Sequence, residues 1–240
     1  VELMNSRAKM LGMNGTVYTD CTGMGEGNVT TAKDTALLCS ELAKYKNLTP
    51  YLTCWLDTVR DGKAELVNLN RLVRTYKGVT GMKAWGSEKA GSCIAATAEK
   101  GDMSVCVVLN GCDSQEDMNA EAKKLLNLAF DTYEIYTPEL PEDMIKETVV
   151  CGGEELSVKL APEGLYPIVI PRGTYRMVEC NFTAEEKLDA PVKNGETAGE
   201  IRYTMGGEVI LEGKIVACKE VKKMNFICGI KKLVYNLLSM

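Results

Sequence analysis

The stretch GSCIAATAEKGDMSVCVVLNGCDSQEDMNAEAKKLLNLAFDTY, residues 91–133, decides the fold class. Its first half holds two runs rich in small and β-branched residues, 91–99 and 103–111, which are joined by Lys-Gly-Asp at 100–102. Runs of this length and composition on either side of a glycine-containing turn are typical of a β-hairpin. The sequence therefore predicts two antiparallel strands here.

The second half of the same stretch is typical of an amphipathic helix. Ser114 stands three residues before Asp117, which is the spacing of a capping box. Apolar residues then recur at helical spacing to about Tyr133. Helix-rich and strand-rich pieces interleave along the chain without a regular βαβ repeat, and this indicates an α+β fold rather than a doubly wound sheet.

Upstream of this stretch, the sequence predicts two helices and a second hairpin. Gly12 follows an apolar-periodic run and suits a helix C-terminus. Thr31 and Asp34 form another capping-box spacing, and residues 60–63 read as a turn. The predicted elements are a helix over 2–11, a helix from Thr31 to about Tyr45, and strands over 51–59 and 64–69.

Beyond residue 133 the composition changes. Two prolines within 134–141 mark a domain boundary, and 145–219 consists of short β-rich runs separated by glycine and proline. This spacing predicts a small all-β sandwich or barrel. The sequence thus divides into an α+β part at 1–133, a β-rich domain at 134–219 and a terminal segment at 220–240.

The terminal segment, 222–240, is both basic and apolar. Its apolar residues lie at helical spacing on one side, and this stripe comprises Phe226, Ile227, Ile230, Leu233, Val234, Leu237, Leu238 and Met240. The segment also contains four lysines, Lys222, Lys223, Lys231 and Lys232. A membrane span needs about 20 mostly apolar residues, which Lys231 and Lys232 interrupt. We therefore expect an amphipathic helix that lies on an anionic membrane surface. The alternative is a terminal helix that packs on the β domain.

Composition excludes several kinds of chemistry. The 240 residues contain no histidine, so Ser-His-Asp catalysis, Cys-His catalysis and histidine-ligated zinc are excluded within this chain. The formal net charge of −5 gives no reason to expect nucleic acid as a partner. The ten cysteines form no Cys-x-x-Cys pair and are spread singly, which favours small buried apolar residues over a metal cluster or a disulfide framework.

One short motif raises the question of a nucleophile. Ser6 and Lys9 form the single Ser-x-x-Lys of the chain, which is the spacing of serine acyl-enzymes with a lysine base. One helical turn separates the two residues and places a hydroxyl and an amine on the same face. The motif alone is weak evidence for a nucleophile, because the same residue pattern also occurs on ordinary solvated helix faces.

Longer stretches carry a family resemblance. VELMNSRAKMLGMNGTVYTDCTGM at 1–24, TTAKDTALL at 30–38 and the stretch from Asn68 to Leu109 resemble the later part of the catalytic domain of serine-type D-alanyl-D-alanine carboxypeptidases, the low-molecular-mass penicillin-binding proteins. LDAPVKNGETAGEIRYTMGGEVILEGKIVA at 188–217 resembles their β-rich C-terminal domain. The resemblance implies a partial β-lactamase/transpeptidase-like domain, followed by the β domain and a C-terminal amphipathic helix.

The resemblance also implies where the catalytic groups lie. In this family the nucleophilic Ser-x-x-Lys and the following Ser-x-Asn both precede the segment that is similar to 1–13. We therefore expect no catalytic residue in this chain, which would lack the N-terminal part of the catalytic domain, and we expect Ser6 to be a bystander.

The family's third motif, Lys-Thr-Gly on a strand that borders the cleft, aligns without gaps to Lys83-Ala84-Trp85. The resemblance implies that Lys83 binds the terminal carboxylate of the substrate, and the alternative is an ordinary surface lysine of a strand. Ala84 lacks the threonine hydroxyl, and Trp85 replaces a glycine that permits close approach. A one-residue bulge would restore Gly86 to that position, and Ser87 would then supply a hydroxyl.

Two functions follow from these implications. The first is a D,D-carboxypeptidase that trims terminal D-alanine from peptidoglycan stem peptides and, at full length, reacts with β-lactams. The second is a catalytically inactive envelope protein that keeps the fold as a scaffold. Both imply a location on the outer face of the cytoplasmic membrane. Neither implies a cofactor or a metal.

Overall fold

The structure, a computed structural model, describes residues 1–141, 144, 147–226 and 230. It divides into two units, 1–133 and 134–240. The first unit combines helices with an antiparallel sheet, and the described part of the second consists mainly of strands. The α+β class predicted from the sequence is therefore confirmed.

The first unit is built around a three-stranded antiparallel sheet of order β3-β4-β5, with β1 and β2 forming a separate hairpin. Its elements are α1 (Glu2–Met10), α2 (Ala32–Leu42), α3 (Thr49–Leu52), β1 (Leu56–Val59), β2 (Ala64–Val67), α4 (Leu72–Thr75), β3 (Val79–Ser87), β4 (Gly91–Lys100), β5 (Met103–Cys112) and α5 (Gln115–Thr132). The hairpin and the following helix predicted over 91–133 are confirmed.

The core of this unit lies on both faces of β4. Six consecutive residues from Cys93 to Ala98 are buried, and alternate strand residues point to opposite faces, so neither face is open to solvent. Helices α2 and α5 both pack against β4 and β5. Alanine is frequent in this strand, and its small side chain lets the helices approach closely.

Two sequence predictions in this unit are wrong at their ends. Residues of the strand predicted over 51–59 begin in α3, and the strand itself starts at Leu56. Pro50 lies in the first turn of α3, where its missing N–H costs no hydrogen bond. Helix α2 ends at Leu42 rather than Tyr45, and the backbone at Tyr45 lies outside the helical region with ψ near 77°.

Within the described residues, the strands of the second unit pack around an apolar core. Six strands pair in the order β10-β12-β13-β8-β7-β11, and β6 pairs with β9. The strands are β6 (Tyr133–Tyr136), β7 (Glu147–Cys151), β8 (Ser157–Glu163), β9 (Ile168–Pro171), β10 (Val178–Ala184), β11 (Lys187–Asp189), β12 (Thr197–Met205) and β13 (Glu208–Ala217). Inward residues of seven of these strands, all but β10, are buried members of a single core cluster, with residues of β10 packed against it. This is the β-rich domain predicted from the sequence.

The chain after β13 is described only in part. Val221 pairs with Val192, and Lys223 pairs with Gly153 in the β7–β8 turn. Most of the predicted terminal helix, 227–229 and 231–240, lies outside the described residues. The membrane-surface helix therefore stays a prediction. No helix within the described ranges is long and apolar enough to cross a membrane.

Candidate functional site

Lys83 is exposed on β3, the edge strand of the sheet in the first unit. Across the described ranges β3 pairs with β4 alone, and Lys83 lies opposite Ala95. The neighbours Met82 and Ala84 are buried and hold the strand against the core. An exposed ammonium beside a free strand edge suits an extended peptide that ends in a carboxylate, because the backbone edge and the charge would act on the same ligand.

The bulge that would have restored Gly86 is not present. The β3–β4 register runs without a shift from Gly81 to Ser87, so Trp85 remains opposite Cys93 and Gly86 opposite Ser92. The one irregularity in this strand pair lies upstream, between Val79 and Gly81. The glycine therefore stays one position beyond the place where the family motif has it.

Trp85 and Ala84 replace the motif's glycine and threonine with apolar groups. Trp85 lies two residues after Lys83, hence on the same face of β3. Its indole is half-buried and packs against the cluster of Cys39, Met82 and Ala95. The Ala84 side chain is 3% exposed and brings no hydroxyl. The wall of the site next to Lys83 is thus apolar on the α2 side.

Ser87 supports the turn at the end of β3. Its hydroxyl accepts a hydrogen bond of 3.0 Å from the Ala90 amide, within the β3–β4 turn. The next residue but one, Lys89, forms an ion pair with Glu26. This pair joins the β3–β4 turn to the loop over residues 18–28, which therefore lies beside the same end of β3.

The loop over residues 18–28 is organised around the carboxylate of Asp20. That carboxylate accepts hydrogen bonds from the amides of Thr22, Gly23 and Gly25 and from the side chain of Asn28. The Thr22 hydroxyl also donates to this carboxylate, at 2.7 Å, and it is the main cause that holds the pKa of Asp20 well below its usual range; the three backbone amides act in the same direction. The bonds to Asp20 therefore hold the backbone of this loop in a defined conformation.

Ser6 and Lys9 both lie on α1, and both side chains are exposed. The buried residue of this helix is Ala8. Lys9 and Ser6 therefore share a solvated helix face.

The cysteines differ from the sequence prediction. Each of the nine within the described residues carries a free thiol. Cys39 and Cys93 are buried, whereas Cys21, Cys54, Cys151 and Cys218 are exposed. The prediction that the cysteines serve as buried apolar residues is therefore wrong for these four, which lie in loops or at strand ends.

Two residues near the site were not singled out from the sequence. Asn68 and Asn70 follow β2 and make side-chain hydrogen bonds to the chain before β1 and to β3. The signal was present, because asparagines that alternate directly after a strand favour side-chain bonding to nearby backbone. The sequence prediction instead extended the strand through residue 69.

Comparison with known families agrees with this arrangement. Residues 1–113 match the family model described as D-alanyl-D-alanine carboxypeptidase. Residues 130–223 match the model described as penicillin-binding protein 5, C-terminal domain. The two matches follow one another in the order of the two units of the structure.

Among curated proteins, the chain is similar to the D-alanyl-D-alanine carboxypeptidase DacF of Bacillus subtilis, with 30% identity over 237 residues, 97% of this chain and 61% of the relative. It is 29% identical to DacC of Escherichia coli over 229 residues, and this alignment covers 94% of this chain and 57% of the relative. The chain thus spans about three fifths of the length of these relatives.

Solved structures agree at the level of the fold. Penicillin-binding protein 5 of Haemophilus influenzae aligns with a TM-score of 0.77 and 24% identity, over 92% of this chain and 65% of that chain. Penicillin-binding protein D2 of Listeria monocytogenes, solved with bound cefotaxime, aligns with a TM-score of 0.50 and 28% identity over 54% of each chain. The chain therefore combines, in order, a region of the D-alanyl-D-alanine carboxypeptidase family over 1–113 and a region of the penicillin-binding protein 5 C-terminal domain over 130–223.

Proposed function

We propose that this chain is part of a D-alanyl-D-alanine carboxypeptidase of peptidoglycan maturation. The observation that carries the proposal is Lys83, which is exposed on the free edge of β3 in a region of this family. Its ammonium would bind the C-terminal carboxylate of a stem peptide through a charge-assisted hydrogen bond. The open backbone edge of β3 would pair with the peptide in extended form.

The chemical step would use a serine outside these 240 residues. The serine oxygen forms an ester with the carbonyl carbon of the penultimate residue, the peptide C–N bond breaks, and the terminal D-alanine leaves with a proton on its amine. Water then hydrolyses the ester and regenerates the serine. We place that serine, its lysine base and the Ser-x-Asn motif upstream of Val1. Residues of the present chain bind and orient the substrate.

β-Lactams are the second ligand that we propose for the longer protein. Their ring carbonyl is attacked by the same serine, and their carboxylate corresponds to the carboxylate of the peptide. Penicillin-binding protein D2, with which this chain shares 28% identity, was solved in cefotaxime-bound and ampicillin-bound forms. Lys83 would hold the antibiotic as it holds the substrate.

A catalytically inactive scaffold is the competing function, and Trp85 favours it. The indole occupies the position of a motif glycine, and Ala84 removes a hydroxyl. If these changes prevent catalysis, the fold would serve only for binding or as a scaffold. An upstream Ser-x-x-Lys followed by Ser-x-Asn in the complete coding sequence would favour the enzyme, and the absence of both would favour the scaffold.

We further propose that the protein sits on the outer face of the cytoplasmic membrane through residues 222–240. Lys222 and Lys223 are exposed, and 83% of Phe226 is exposed, directly after the last β-bridge. Apolar and cationic groups next to one another suit the boundary between acyl chains and anionic headgroups.

The test of the enzymatic proposal uses the complete polypeptide with its upstream segment. The protein is incubated with a fluorescent penicillin, and release of D-alanine from a peptide that ends in D-Ala-D-Ala is measured. We expect covalent labelling and D-alanine release. Labelling without release would indicate a penicillin-binding scaffold, and the absence of both would overturn the proposal.

A further inference from the structure

Asn68 and Asn70 connect the β1–β2 hairpin to β3 through their side-chain amides. The Asn68 amide donates to the carbonyls of Leu52, at 3.3 Å, and Cys54, at 3.0 Å, both before β1. The Asn68 side-chain oxygen accepts from the Asn70 backbone amide at 2.9 Å. The Asn70 amide in turn donates to the Gly81 carbonyl in β3 at 3.2 Å. Hydrogen bonds thus run continuously from the chain before β1 to β3.

Leu52 closes this chain of contacts into a ring. Gly81 has φ near 154°, a conformation that favours glycine, and a Cβ atom at this position would lie 3.2 Å from Cβ of Leu52. The Leu52 side chain therefore packs directly on the Gly81 backbone, while the Leu52 carbonyl accepts from Asn68. Asn70 itself is fully buried, and its oxygen accepts from the Leu72 amide. Each amide of the pair has partners for both its oxygen and its nitrogen.

The hairpin depends on this attachment. Every residue of β1 is exposed, and so is every residue of β2 except the half-buried Ala64. A two-stranded hairpin that is solvated on both faces is marginally stable in isolation. Its base is held by the Asn68 amides, by a backbone bond from Asn68 to Trp55 and by the guanidinium of Arg74 over the Trp55 ring. The hairpin therefore takes its position from contacts at its base, where Asn68 makes the hydrogen bonds.

We propose that Asn68 and Asn70 form one positioning unit that fixes the β1–β2 hairpin relative to the start of β3 and thereby sets the position of Lys83. Gly81 and Lys83 lie two residues apart in one strand, so a shift of the Gly81 carbonyl moves the Lys83 backbone with it. The role of Lys83 rests on the proposed function. The mechanical coupling of the hairpin to β3 does not depend on the proposed function.

The two tryptophans of the chain report on the two ends of this coupling. Trp55 lies at the base of the hairpin, and Trp85 lies in β3. The 240-residue chain is labelled with 5-fluorotryptophan and observed by ¹⁹F NMR. The variants are Asn70→Ser, whose hydroxyl is too short to reach Gly81, and Asn68→Asp, which keeps the oxygen acceptor and loses both donors.

We expect each variant to shift or broaden both resonances by more than a line width. The matched control is Asn119→Ser, which removes a buried amide whose hydrogen bond lies within α5. It should leave both resonances in place. Changes confined to the nearer tryptophan in each variant would overturn the coupling. If Asn70→Ser does not fold, Asn68→Asp decides the matter, because Asn68 is partly exposed.

The consequence for Lys83 is measured in the complete polypeptide, below the melting temperature of every variant. Both variants should acylate with a fluorescent penicillin about tenfold more slowly, because misplacement by about 1 Å costs up to a hundredfold in rate. The Asn119→Ser control should stay within about twofold. Unchanged acylation in both variants would overturn the positioning role. A parent protein that does not acylate would overturn the proposed function instead, and the ¹⁹F spectra would then decide the coupling alone.

Discussion

The carboxylate of Asp34 accepts a hydrogen bond of 2.7 Å from the hydroxyl of Thr16. Asp34 lies in the first turn of α2, whereas Thr16 lies in the segment after α1, and the Gly15 amide donates to the same oxygen at 2.8 Å. Thr31 caps the helix by accepting a hydrogen bond from the backbone amide of Asp34, and this bond does not use the Asp34 side chain. One carboxylate thus fastens the chain after α1 to the start of α2.

This relationship predicts a pH-dependent stability. The Thr16 hydroxyl, with the Gly15 amide and Lys33, holds the pKa of Asp34 below its ordinary value of 3.8. A lowered carboxyl pKa contributes stability above the ordinary value, and this contribution is lost as the pH falls through the lowered pKa. Asp34→Asn should therefore lower the urea midpoint at pH 7, and the gap to the parent should narrow below about pH 4.

The control for this prediction is Asp61→Asn, an exposed turn carboxylate. It should leave the midpoint unchanged at both pH values. A gap between Asp34→Asn and the parent that is equally wide at pH 7 and in acid would contradict the assignment of the pH dependence to Asp34.

The second prediction concerns Lys83 in the complete polypeptide. Lys83→Ala should slow acylation by a fluorescent penicillin at least about tenfold, because a hydrogen bond to a charged group contributes about 1.5–3 kcal/mol. Lys9→Ala removes an exposed lysine of α1, and Ser6→Ala removes its neighbouring hydroxyl. Both should acylate like the parent. Labelling that disappears in Ser6→Ala would instead identify Ser6 as the nucleophile.

The sequence predicted the sheet of the first unit well because its pattern is local. The alternation of strand, glycine turn and strand over 91–111, and the capped helix after it, depend on neighbouring residues alone. The region over 49–69 was predicted less well. There Pro50 opens a helical turn, and Asn68 ends β2 by bonding to carbonyls 14 and 16 residues away. Such distant partners leave no periodic signal in the sequence.

The candidate site likewise has a part that the sequence predicted and a part that needed the structure. The position of Lys83 on an edge strand followed from the motif, because the motif is contiguous. The absence of a bulge did not follow, since strand register depends on pairing with β4 over residues 91–98. The ring of Asn68, Asn70, Leu52 and Gly81 also needed the structure, because it joins three segments that the sequence separates.

The third prediction concerns the β-rich unit. Tyr203 is fully buried in β12, and its hydroxyl donates to the Glu139 carbonyl at 2.8 Å. Tyr203→Phe removes the donor of a hydrogen bond to an exposed residue, which should cost about 0.5–1.5 kcal/mol of unfolding free energy. Tyr166→Phe, at an exposed tyrosine, is the matched control. Equal urea midpoints for both variants would show that the Tyr203 hydroxyl contributes nothing.

The fourth prediction concerns thiol reactivity. Cys21, Cys54, Cys151 and Cys218 are exposed and should react rapidly with a disulfide reagent in the native protein. The hydrogen bond with Cys39, together with burial, raises the pKa of Cys106, which should react only on unfolding. Mass spectrometry of peptides after a short exposure to the reagent gives the order in which the cysteines react. Early modification of Cys106 would contradict the packing of α2 on β5.

The last prediction tests the membrane surface, and the structure determines where the chain should be cut. The Met224 amide donates to the Gly152 carbonyl at 2.7 Å, and the Glu154 amide donates to the Lys222 carbonyl at 2.8 Å. Deletion from residue 222 would therefore remove hydrogen bonds of the β-rich unit as well as the terminal segment. Deletion of 227–240 keeps those bonds and removes most of the predicted apolar stripe.

We expect the parent chain to sediment with vesicles that contain anionic lipid at low salt, and binding should weaken as salt rises. Deletion of 227–240 should abolish most of it. Charge reversal at Lys231 and Lys232 should weaken binding more than about tenfold, because each lysine near an anionic surface contributes about 1 kcal/mol. The same reversal at Lys187 and Lys193, two exposed lysines of the β-rich unit, should have a smaller effect. If the deleted chain binds as the parent does, residues 227–240 are not the anchor, and a helix packed on the β-rich unit becomes the better account of them.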